Sequence, residues 1–133
     1  MSKADTNQAS ELYELCKKVY ELTGWGEPSL PCWIDNATKK HAQQGYPKVT
    51  KYVGIRGKWE YGKQYGLYIM YPLYTSDYLL ERLPRYEIVD NGVMATASFY
   101  DSDKDAWYYG DDRTALKALL KLVIALEKAG VEL

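Results

Sequence analysis

The chain has 133 residues, 47% of them hydrophobic, with 17 Lys and Arg against 18 Asp and Glu for a formal charge of −1. That size and balance fit one compact domain over residues 1–133 and argue against a histone-like polybasic protein. No run approaches the roughly 18 apolar residues of a membrane span, and residues 1–9 are polar, without a secretory apolar region, and read as a flexible start. A soluble, cytoplasmic protein with no membrane partner is the expectation.

Cys16 and Cys32 are the only cysteines, too few for a disulfide scaffold, so a reducing compartment is expected. Fourteen Tyr and four Trp stand against one Phe, and twelve of the tyrosines fall between Tyr46 and Tyr109. Such rings carry a polar tip that needs water or a partner, and they suit both half-buried sheets and binding surfaces.

In chain order, Leu12, Leu15, Cys16, Val19 and Leu22 recur at helical spacing, with Ser10 as the N-cap and Gly24 as the stop. Pro28 and Pro31 break the chain next. Residues 33–47 are polar and read as loop, with a helical turn around Asn36 to Gln44 as an option. Val49, Lys51, Val53 and Ile55 alternate as a strand, and after Gly57 and Gly62 a second strand places Leu67, Ile69 and Tyr71 on one face before Pro72. A β-meander is predicted.

Thr75 or Ser76 caps a short helix with Leu79, Leu80 and Leu83 as its packing stripe, ended by Pro84. Asp90-Asn91-Gly92 is a hairpin signal between strands Tyr86 to Val89 and Val93 to Tyr100, with Val93, Ala95, Ala97 and Phe99 on one face. A turn at Asp101 to Asp105 leads into a strand from Ala106 to Tyr109. Asp112 or Thr114 then caps a strongly apolar helix through Leu116, Leu119, Leu120, Val123 and Leu126, closed by Gly130. No βαβ unit repeats, so the predicted fold class is α+β: a mainly antiparallel sheet packed with N- and C-terminal helices and a short central helix. Ala95 and Ala97 leave room for a helix to approach the sheet.

Three stretches, LYELCKKVYELTGW, PLYTSDYLLERLP and TALKALLKLVIALEKAGVEL, resemble the phage ABA-sandwich domain family and its uncharacterised relatives. The resemblance covers roughly a third of the chain and implies a three-layer α/β/α sandwich and an origin in a phage or prophage. It supplies no catalytic residue.

Charge is segregated. Residues 36–66 hold seven basic residues and one acid, Glu60, for a net +6, which leaves −7 for the remainder. Lysines and aromatic rings alternate there, and the candidate binding residues are Lys48, Lys51, Tyr52, Arg56, Lys58, Trp59, Tyr61, Lys63 and Tyr65. The mixture suits an acidic protein surface, with aromatic anchors and lysines that steer, or single-stranded nucleic acid, with stacked bases and neutralised phosphates. It also suits a solvated sheet edge guarded by lysine.

Other motifs are incomplete. Asp101, Asp103 and Asp105 open a calcium-loop pattern, but Ala106 stands where the loop needs Gly and Asp112 where it needs a bidentate Glu. His41 is the only histidine. It could pair with Cys32 as a nucleophile and base, oriented by Asp35, but it lies in the polar run KKHAQQ and reads as surface. Two cysteines and one histidine fall short of a structural zinc site. Neither phosphate-loop motif occurs among the glycines, so no cofactor is expected. Trp25 and Trp107 are expected inside and Trp59 outside.

The function expected is therefore stoichiometric binding without turnover. A phage- or prophage-type module would dock a host or phage protein in the bacterial cytoplasm, with a host defence protein such as a CRISPR effector as one target. A nucleic-acid-binding accessory protein is the alternative, and a Cys-His enzyme a third reading.

Overall fold

Helix α1 spans Lys3–Thr23 and ends where Gly24, at φ 70°, turns the chain and donates its N–H to the Tyr20 carbonyl at 2.7 Å. A computed structural model describes residues 3–27, 30–36, 49–52, 60–65, 68–83 and 86–131; side chains are described for 11–27, 30–35, 60–63, 69–83 and 86–131. The chain divides into two compact units, Met1–Tyr20 with Gly24–Tyr74, and Glu21–Thr23 with Thr75–Leu133. Among the described residues, no helix is long and apolar enough to cross a membrane.

In the first unit, α1 buries Tyr13, Cys16 and Val19, three residues apart on one face. Leu12, Leu15 and Leu22, expected in that stripe, are only half-buried, and Ser10 lies inside the helix and does not cap it. The face tilts toward Tyr13 because that ring has partners. It meets Trp33 and Tyr71 edge-on, with centroids 5.7 and 6.0 Å apart, and its hydroxyl donates to Asp35 Oδ2 at 2.6 Å.

Those partners belong to an antiparallel four-stranded sheet of β1 (Cys32–Asn36), β2 (Val49–Tyr52), β3 (Gln64–Tyr65) and β4 (Tyr68–Pro72), in the order β2-β1-β4-β3. Strand β1 corrects the sequence reading, which left it as loop. It is an interior strand, with Trp33 opposite Lys51 on one side and Tyr71 on the other. Its alternation is hidden because Asp35 is buried; the Tyr13 hydroxyl accounts for that polar position. The pairing of β1 with β4 also replaces the expected simple meander. The predicted strand residues Val53 and Ile55, and most of the optional helical turn, lie outside the described residues.

In the second unit, Thr75 accepts the Tyr78 N–H at 3.2 Å and caps α2 (Ser76–Arg82). Leu79 and Leu83 are buried as predicted, Leu80 is half-buried, and Tyr78 is buried too, under the Arg82 guanidinium 3.4 Å from its ring centre. Strands β5 (Glu87–Asp90), β6 (Ala95–Asp101) and β7 (Ala106–Asp112) form an antiparallel sheet in chain order. The predicted hairpin turn is present: Gly92 adopts φ 85°, Asp90 Oδ1 accepts its N–H at 2.8 Å, and Asn91 Oδ1 accepts from Val93 and Met94. Val93 is 75% exposed at the hairpin tip and does not join Ala95, Ala97 and Phe99 on the buried face.

Helix α3 (Ala115–Lys128) lies across β6 and β7 and touches α2. Thr114 is its N-cap, accepting from the Lys117 N–H at 3.3 Å, and Gly130, at φ 75°, closes it. Ala97 pairs with Gly110 in the sheet, and this small-residue pair leaves a hollow for the helix. The fold is α+β with antiparallel pairing and helices on sheets, as predicted, its strands shared between two sheets. Among the described residues, the first unit sets α1 against the four-stranded sheet and the second sets α2 and α3 with the three-stranded sheet.

Candidate docking surface

Strand β7 divides its side chains between two faces, and Gly110 fixes which face meets the helix. Gly110 faces α3 so closely that a Cβ there would stand 2.1 Å from the Ala118 carbonyl oxygen, and its neighbours on that side, Ala106 and Tyr108, are half-buried. Period-two alternation therefore sends Trp107, Tyr109 and Asp111 to the opposite face. Trp107, expected in the core, is 52% exposed, and Tyr109 is 55% exposed. The indole faces outward because Gly110, of the opposite parity, must face the helix.

Cross-strand register assembles the outer face. Tyr100 lies opposite Trp107, Ser98 joins Tyr109 to Glu87, and Thr96 joins Asp111 to Val89. The Tyr100 and Trp107 rings sit 5.0 Å apart, tilted by 43°, while Trp107 and Tyr109 are within 16° of parallel at 6.2 Å. Tyr86, Glu87, Tyr100 and Trp107 line a shallow pocket of about 170 Å³.

The Asp-rich turn completes this surface. Asp101 Oδ1 accepts the Asp103 N–H at 3.0 Å, and Asp105 takes a left-handed φ of 49°, which an Asp tolerates better than most residues. From there its carboxylate accepts a short hydrogen bond from the Tyr100 hydroxyl. That bond, with lesser contributions from desolvation and the Asp101 charge, pushes the Tyr100 phenol above its ordinary value. Lys104, the base within this turn, is directed elsewhere, donating to the Ala129 carbonyl at 3.0 Å. Among the described residues, no three His, Cys, Asp or Glu side chains gather as a metal site.

The residues singled out from sequence fall differently. Lys48, Arg56, Lys58 and Trp59 lie outside the described residues. Lys51 and Tyr52 are on β2 and Tyr65 is on β3, the two opposite edges of the four-stranded sheet. Tyr61, expected as an exposed stacking ring, is half-buried: it packs edge-on against Tyr20 at 5.8 Å, and its hydroxyl donates to the Glu27 carbonyl at 3.2 Å. Lys63 is exposed beside Glu60, 3.6 Å away. Cys32 is fully buried, Asp35 Oδ2 is engaged by Tyr13, and His41 lies outside the described residues. Cys16 is core, as expected, and Trp25 is half-buried, its carbonyl accepting from the Tyr74 hydroxyl at 2.6 Å.

A signal for the aromatic face was present in the sequence. Trp107-x-Tyr109, one short turn after Tyr100, is the spacing that stacks rings on one side of a hairpin. Comparison with protein families, with curated proteins and with solved structures finds no match to this chain.

Proposed function

We propose that the protein is a stoichiometric protein-binding module, and that the outer face of the β5-β6-β7 sheet is its principal docking surface. One observation carries this reading: Tyr100, Trp107 and Tyr109 are exposed side by side on the β6-β7 hairpin, backed on the other face by a buried helix. Large rings with few rotatable bonds anchor interfaces at low entropic cost, and a contiguous aromatic patch on a surface marks a partner site.

The partner class, a host or phage protein with a defence protein among the candidates, rests on the three phage-like motifs. Capture of a bacterial partner at 1:1 stoichiometry by the wild type, and its loss in W107A/Y109A with unchanged thermal stability, is the expected result. Capture that survives the double substitution would sink this surface. Capture lost instead in K48E/K51E/K58E would move the site to the basic segment.

A further inference from the structure

The aromatic face has a chemical preference. Its pocket joins three rings, Tyr86, Tyr100 and Trp107, to one carboxylate, Glu87, and no base pairs with Glu87 among the described residues. Electron-rich ring faces attract cations, and a carboxylate beside them adds charge and directed acceptors. The adjoining turn contributes Asp101, Asp103 and Asp105, with the Lys104 ammonium drawn to the Ala129 carbonyl.

Building on the docking reading above, we infer that this pocket receives an arginine side chain presented by a basic segment of the partner protein. Arginine fits better than lysine for two reasons. Its planar guanidinium stacks on an indole while pairing with Glu87 through two N–H groups, whereas a lysine ammonium is a strongly hydrated point charge. A shallow pocket of about 170 Å³ also accommodates a flat head group with the end of its methylene chain. The Asp105 carboxylate fixes the Tyr100 hydroxyl, so one wall of the pocket is set before the ligand arrives.

Titration of the full chain with a tetra-arginine, a tetra-lysine or a tetra-glutamate peptide, at one ionic strength, tests this. The readout is the Trp107 indole N–H resonance, assigned by its absence in W107F. Tetra-arginine is expected to shift that resonance and to bind about tenfold more tightly than tetra-lysine, with E87Q removing most of the difference. Equal affinity for the two basic peptides, indifference to E87Q, or a response to a neutral oligosaccharide in place of arginine would each overturn the inference. The two readings fail separately. A flat arginine titration beside partner capture that still depends on Trp107 and Tyr109 removes the arginine pocket alone, whereas capture insensitive to those rings removes the docking face itself.

Discussion

Gly110 and Ala118 are in backbone contact, with the Leu122 amide nitrogen only slightly farther away: a Cβ on Gly110 would stand 2.1 Å from the Ala118 carbonyl oxygen and 2.5 Å from that nitrogen. Both obstacles are main chain, so no rotamer change can relieve them. G110A is expected to force α3 off the sheet and to cost about 3 kcal/mol, the upper range for overpacking a core. A urea melt would show the midpoint falling.

Tyr13 and Asp35 form a buried pair, and Asp35 Oδ1 has no hydrogen-bond partner among the described residues. Y13F removes the donor from Oδ2 as well and is expected to cost about 2 kcal/mol. Burial, followed by the bond to Asp35, pushes the Tyr13 phenol far above its ordinary value of 10.0. Because the folded value exceeds the unfolded one, this contribution is complete below about pH 10 and declines as pH rises beyond it. Between pH 8 and pH 10.5 the wild type should therefore lose more stability than Y13F, as read from urea midpoints.

At the other end of the scale stands Asp112. Partial burial alone would raise its carboxyl, but the Lys121 ammonium 2.9 Å away and the Arg113 N–H hold it below the ordinary carboxylate range. A lowered folded value gives stability that is present above about pH 4 and lost as pH falls through the folded value. D112N should cost about 1 kcal/mol at pH 7, and the gap from the wild type should close on acidification. Parallel acid titrations of the two proteins, followed by circular dichroism, check the sign.

Thr114 is the cap on which α3 starts, and T114A should cost about 1 kcal/mol, with T114S close to wild type. Thermal melts of the three proteins measure it. Since α3 covers the sheet from the side opposite Trp107, the same substitution should leave binding at the aromatic face unchanged at temperatures where the fold persists.

Local rules recovered what is local. The stops Gly24 and Gly130 and the Asp90-Asn91-Gly92 turn were legible because each depends on a few adjacent residues, and Thr75 and Thr114 were each one of two candidate caps, whereas Ser10 lies inside α1. Strand β1 was not, because the acceptability of Asp35 inside depends on Tyr13, 22 residues earlier. Trp107 is outside for a similar reason: large aromatic residues favour cores on average, and only the approach of Ala118 to Gly110 shows which parity of the strand faces the helix. The candidate docking face was thus a consequence of helix packing, a relation that no single stretch of sequence displays. Composition drew attention to the basic segment instead, since clustered charge is visible in a linear text and a cross-strand ring cluster is not.

Strand β7 divides its work by parity. Gly110 is held against the helix behind it, while Trp107, Tyr109 and Asp111 stand exposed on the other side. On the docking reading proposed above, exchanging the rings at 107 and 109 would redirect recognition without disturbing the seam that Gly110 makes with the helix.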